Sequence, residues 1–266
     1  MAFVYSLGGS GTYCGAPPQP EQLWSRWNLD PRLIAVLLLI LAVYLVGVEL
    51  RPAARQRPSL WRRLCFYGGW SLASLALISP LCALSVSLAA ARVGQHMILT
   101  VLAAPLVALG LPRRPTPGFA GASIAAAAVF GAILWFWQSP GPYEATFQSP
   151  AIYWAMHLTA FGAALALCWL VLAGGPARLA ETLAAAAITS LQMGLLGAIL
   201  TFTDHPLYAP HLLTTQAWGL TPLADQQLAG AIMWIPAGVL MTAAVVAGLA
   251  LTLQGAERRA LRVSAP

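Results

Sequence analysis

Lysine is absent from this 266-residue chain, so all 14 cationic side chains are arginine. Acidic residues number eight, and charged residues of both signs make up only 8%. A soluble domain carries about 25%, so this scarcity excludes one. The acids are scattered, and no phosphate loop, Gly-x-Ser-x-Gly elbow or His-Glu-x-x-His motif occurs. An enzymatic reading therefore has nothing to build on. The net charge of +6 comes without a basic stripe interleaved with exposed aromatics, which removes nucleic acid as a partner. The first 31 residues lack the basic start and apolar core of a signal peptide and read as a tail. No repeat of 20–50 residues and no appended soluble domain is visible.

Hydrophobic residues dominate instead, at 59%. A bilayer requires about 20 apolar residues per helical crossing. Runs of that kind predict spans at 33–50, 64–80, 94–111, 119–138, 151–173, 179–202 and 224–251. The second run continues past Pro80 to about Ala90, which predicts a kink or an interfacial turn. Backbone polar groups in lipid need internal partners, and these runs are too long for barrel strands. The expected fold is all-α, a polytopic bundle of seven transmembrane helices. Gly68, Gly69, Gly194 and Gly197 are candidates for close helix approach.

The arginines orient the bundle. Arg51, Arg55, Arg57, Arg62 and Arg63 fall in the first connection, Arg113 and Arg114 in the third, Arg178 in the fifth, and Arg258, Arg259 and Arg262 in the C-terminal tail. Arg26, Arg32 and Arg92 alone fall on the opposite side. Positive loops remain cytoplasmic, so the N-terminus is expected outside and the C-terminus inside. The organisation that follows is an outer tail over 1–31, a transmembrane domain over 32–252 and a cytoplasmic tail over 253–266, in a bacterial inner membrane.

That orientation puts all four histidines at the outer face. His96, followed by Met97, opens the third span, and His157, preceded by Met156, lies one to two turns into the fifth. His205 and His211 occupy the sixth connection, and Asp225 with Gln226 opens the seventh span. Imidazole binds copper, zinc and iron, and thioether favours Cu(I). His96, Met97, His157, His205, His211 and Asp225 are therefore the candidate metal residues, with copper the expected metal. The plainer alternative is that each polar group is satisfied by water or backbone. Asp225 has two readings, as a partner orienting a histidine or as a cap on the seventh helix. Gln138, Tyr143 and Glu144 belong to the fourth connection. Cys65 and Cys168 read as packing residues. Cys14 and Cys82 lie on the outer side, where a disulfide or a thiolate–copper site is an option. With no Cys-x-x-Cys, two unpaired thiols is the preferred reading.

Several segments resemble the CtaG-type cytochrome c oxidase assembly factors: Tyr13-Cys14-Gly15, Trp27-Asn28-Leu29-Asp30-Pro31, Ser79-Pro80-Leu81, Gln95-His96-Met97 with Ala104-Pro105-Leu106, and Leu223-Ala224-Asp225-Gln226-Gln227-Leu228-Ala229-Gly230 continuing to Met233-Trp234-Ile235-Pro236. The resemblance runs nearly end to end. It implies seven spans, working outer loops, and a part in maturing a haem–copper oxidase at the copper-delivery step. Its implied partners are cytochrome c oxidase subunits and the lipid bilayer, with a periplasmic copper chaperone as a further candidate. The resemblance also implies three more histidines, at positions filled here by Arg92, Gln138 and Tyr153. Two other readings stay open: a haem-binding electron carrier, for which His96 and His157 are the credible ligands, and a transporter of copper or another solute. A transporter would need polar groups at mid-membrane, where the spans offer only Thr, Ser, Gln192 and Met193.

Overall fold

The computed structural model describes residues 12–49, 58–111, 120–174, 178–235 and 238. Among these the chain is helical, with no strand. Helix α1 (Pro31–Tyr44) starts where Pro31 presets the first turn and the Asp30 carboxylate accepts from the Arg32 backbone N–H at 2.9 Å. A π-helical turn, Leu45–Glu49, extends it. Helix α2 (Leu60–Ile78) leads through Ser79 and Pro80 into α3 (Leu81–Ser87), bent by 50°. The expected kink at Pro80 is thus present: a proline cannot donate to the preceding turn.

Helices α4 (Ala89–Met97) and α5 (Ala104–Gly110) are joined by the π-helical stretch Ile98–Ala103 and form one span. Pro105 explains the widened turn, because its ring would clash with the carbonyl four residues back. Helix α6 (Ala122–Gln138) turns by 69° into α7 (Pro140–Gln148). The sequence Pro140-Gly141-Pro142 reads as a connection. It is instead the first turn of a helix, where prolines lack no hydrogen bond that the helix needs. Helices α8 (Pro150–Gly174) and α9 (Leu179–Phe202) are long single spans, and α10 covers residues 222–235.

Four of these elements are long and apolar enough to cross a membrane, and six if each bent pair is one crossing. The far part of the seventh expected span, the arginines of 51–57, the 112–118 loop and the tail 253–266 lie outside the described residues. Four of the orienting arginines lie on helices and not in loops: Arg32 at the start of α1, Arg62 and Arg63 in the first turn of α2, and Arg92, which is buried inside α4.

Helix α5 packs between α2 and α8, and α6 between α8 and α9. Two of the four glycines make the expected close approaches. A β-carbon at Gly69 would lie 2.8 Å from the Ala103 carbonyl and the Val107 nitrogen, and one at Gly197 would lie 3.0 Å from the Gly230 carbonyl. Gly68 and Gly194 face open space. Outward positions such as Leu38, Leu39, Leu191 and Leu195 are exposed apolar surface, as lipid contact requires.

Candidate functional site

The loops at one end of the bundle are tied together by long-range polar contacts. Both Asp225 carboxylate oxygens accept from α4: Oδ2 from the Ala89 N–H at 2.7 Å and Oδ1 from the Ala90 N–H at 3.1 Å. Asp225 is therefore an N-terminal cap, on α4 rather than on its own helix. Thr221 caps α10, accepting from the Ala224 N–H at 3.1 Å. Gln226 Oε1 accepts from the Leu207 N–H at 2.6 Å, and its Nε2 donates to the His205 and Leu200 carbonyls at 3.3 and 3.4 Å. Gln95 Nε2 donates to the Ala76 carbonyl at 2.7 Å. The Asp-Gln and Gln-His segments thus weld α2, α4, α9, α10 and the 204–211 loop into one end.

This end buries a cluster of polar side chains, the histidine chamber, between α4, α7 and α8. His96 on α4 and His157 on α8 are both buried, with ring centres 5.2 Å apart and planes at 70°. His157 Nδ1 lies 3.0 Å from the Tyr153 carbonyl. A carbonyl only accepts, so Nδ1 holds the proton and Nε2 keeps its lone pair. Neither His96 Nε2 nor His157 Nε2 has a hydrogen-bond partner in the protein.

Beside the pair lies Arg92, only 2% exposed. Its guanidinium sits 4.3 Å from the Phe147 ring centre, 5.0 Å from Tyr143 and 5.9 Å from Tyr153. Nη2 donates to Thr146 Oγ1 and approaches Met156 Sδ at 3.8 Å. His211 closes the far side, with Nε2 2.7 Å from the Tyr143 hydroxyl. The Tyr143 ring stacks on Tyr208 at 4.0 Å, and the Tyr208 hydroxyl donates to the Gln138 carbonyl at 3.0 Å. Burial, reinforced by the Arg92 charge, pushes the His211 imidazole down to about 3. Two of the three positions where the family resemblance implies histidine, Arg92 and Tyr153, therefore lie beside the histidine pair, and the third, Gln138, meets the Tyr143–Tyr208 stack through its backbone carbonyl.

The six candidate ligands do not converge. His96 and His157 meet. His211 stands across the chamber against Tyr143. Met97 packs in the main apolar cluster with Val93, Phe130 and Leu134. Asp225 is taken up by amide donors. His205 is largely exposed and bonds Asp204 Oδ1 at 2.8 Å, which holds that carboxyl below its ordinary range. Among the described residues no group of three His, Cys, Asp or Glu is arranged to hold a metal.

Cys14 and Cys82 correct the sequence reading: they form a disulfide, with Cα atoms 5.5 Å apart. The bond joins the N-terminal tail to α3, across 68 residues, a separation that no local spacing motif announces. The Tyr153 hydroxyl lies 3.4 Å from Cys14 Sγ and 3.7 Å from Cys82 Sγ. The sequence marks Arg92 only as an outer arginine and as a departure from the family pattern, and it does not single out Thr146 or Phe147. The available signal was a charge inside an otherwise apolar helical run, which is costly unless it has a purpose.

A family model described as the cytochrome c oxidase caa3 assembly factor matches residues 42–254. No curated protein and no solved structure matches the chain.

Proposed function

We propose a copper-handling role in oxidase maturation, from the premise that this chain belongs to the cytochrome c oxidase caa3 assembly factor family. Membership associates the chain with oxidase assembly, and its apolar helices associate it with a membrane; a role without a reaction of its own is part of the proposal. The finer reading is that His96 and His157 hold a copper ion as cargo at the outer face and pass it toward the oxidase.

The observation that carries this is the pair of buried imidazoles with unpartnered Nε2 atoms. A buried polar atom without a partner costs about 1–3 kcal/mol, and a shared ligand would offset that cost for both rings. Two imidazoles bonded to one ion at about 2 Å hold their ring centres roughly 6 Å apart at most, and the observed 5.2 Å fits. Two ligands suit Cu(I) better than zinc, which takes four in structural sites. A haem iron would need the two imidazoles on opposite faces of the porphyrin, at roughly the full 6 Å of that range, and the shorter 5.2 Å spacing ranks the haem-carrier reading below copper.

His96→Ala and His157→Ala should each abolish most Cu(I) binding, measured by competition with a chromophoric chelator, and lower oxidase activity in cells. Protein abundance in the membrane should stay near normal. Unchanged copper affinity in both variants would remove the pair from metal handling, and an intense Soret band in the purified protein would return haem to first place.

A further inference from the structure

We infer that the Cys14–Cys82 disulfide is a thiol-operated latch, holding the N-terminal tail over the cavity that leads to His157. The inference rests on the copper reading only for what enters; the latch itself stands on separate contacts. A cavity of about 470 Å³ runs between α1, α2 and α8. Its wall includes Tyr13 and Asp30 at the tail end, Leu33, Leu37 and Trp70 along its length, and the buried His157. Tyr13 is the residue next to the bonded Cys14. Its ring stacks on Tyr153 at 5.0 Å and meets Trp154 edge-on at 5.0 Å, and its hydroxyl donates to Asp30 Oδ2 at 2.7 Å.

Tyr153 connects the latch to the histidine. Its hydroxyl touches both sulfurs, its ring lies 4.2 Å from the His157 ring, and its carbonyl fixes the His157 tautomer. Apart from the disulfide and the Tyr13 ring contacts, the segment around Cys14 is held by one hydrogen bond from Ser87 Oγ to the Pro18 carbonyl at 3.4 Å and by the Tyr13–Asp30 bond. The tail is anchored further along at Asn28, whose N–H donates to the Ile78 carbonyl at 2.8 Å and whose Nδ2 donates to the Leu77 carbonyl at 3.3 Å and reaches Cys82 Sγ at 3.6 Å. Freed of the covalent tie, Tyr13 can leave the cavity wall and open it toward His157.

The chemistry is a thiol–disulfide exchange. Cys82 Sγ is inside and Cys14 is partly exposed, so the thiolate of a dithiol donor attacks Cys14 Sγ. The S–S bond breaks, and Cys82 departs as a thiolate and takes a proton. The donor's second thiolate then attacks the mixed disulfide and releases Cys14, which is protonated in turn. Two electrons pass from donor to protein, and the donor leaves as a disulfide.

Metal-free chain in lipid nanodiscs, treated with diethyl pyrocarbonate, reports the latch without reference to copper. Exposed His205 serves as the internal standard. The His157:His205 labelling ratio, read by peptide mass spectrometry, should rise about tenfold or more when dithiothreitol opens the bond, as expected for release of a local closure. It should fall again on reoxidation. Cys14→Ser/Cys82→Ser should label at the high ratio with or without dithiothreitol; reduced wild-type protein answers the same question if that variant does not accumulate. An unchanged ratio with both thiols confirmed free would overturn the inference. So would a disulfide that resists millimolar dithiothreitol in the folded protein. Loss of copper binding in the histidine variants would leave this result untouched.

Discussion

Arg92 governs the charge of the histidine chamber. The Tyr153 ring lies 5.9 Å from its Cζ and 4.2 Å from the His157 ring, so guanidinium and imidazole are no more than about 10 Å apart. At an effective dielectric of about 20 that separation costs a second unit charge about 1.7 kcal/mol. The cost doubles for a divalent ion, which favours Cu(I) again. Arg92→Gln should tighten Cu(I) binding roughly tenfold, and chelator competition on the purified variant measures it; identical affinities would place the bound ion elsewhere. His211 gives a second test at this scale. Its pKa is depressed by burial to about 3 from the ordinary 6.5, so the fold keeps a neutral ring that the unfolded chain protonates. That difference costs stability as pH falls below about 6.5, and the loss deepens down to about 3. His211→Gln retains a side chain able to bond Tyr143 and removes the titration. Thermal midpoints of the variant should fall less than those of the wild type between neutral pH and pH 5, and parallel curves would refute the assignment.

At the element scale, Asp225 decides whether α4 begins correctly. Helix α4 spans only nine residues before its π turn, and Asp225 satisfies two of its otherwise unbonded N–H groups while complementing the helix dipole. Asp225→Asn keeps the shape and loses one acceptor and the charge. It should cost about 1–2 kcal/mol, seen as a lower melting temperature, and any loss of oxidase maturation should not be rescued by added copper. Rescue would instead connect Asp225 to metal affinity. The helices themselves were legible because apolar run length reports a span directly: 179–202 coincides with α9. Helix α7 was not, since Pro140-Gly141-Pro142 carries the same letters as a turn. The Asp225 cap and the Cys14–Cys82 bond were hidden for another reason. Each joins positions far apart in the chain, 136 and 68 residues respectively, and local spacing holds no trace of such pairs. The histidine pair lies between these cases. His96 and His157 were legible as residues at one membrane face, while their contact and the guanidinium beside them depend on how α4 meets α8.

At the scale of the whole molecule, the proposed orientation fixes which side of the membrane each end of the bundle faces. Arginine bias places the C-terminal tail in the cytoplasm, so a fluorescent reporter that matures only there should be bright when fused after Pro266. A dark fusion together with an active periplasmic reporter at the same point would invert the bundle and put the histidine chamber on the wrong side for an outer donor.

The Asp225 cap has a further consequence in time. Residues emerge from the ribosome in order, at about 5–20 per second, and 136 positions separate Asp225 from Ala89. For roughly ten seconds after α4 is made, its first turn waits for the carboxylate that completes it. His96 rides on that helix. On the proposed copper reading, a nascent chain would lack a finished imidazole pair, and metal capture would wait, until the last described helix had joined the others. The protein would thus be unable to sequester cargo during its own synthesis, and its readiness to deliver would certify that it had been completely built.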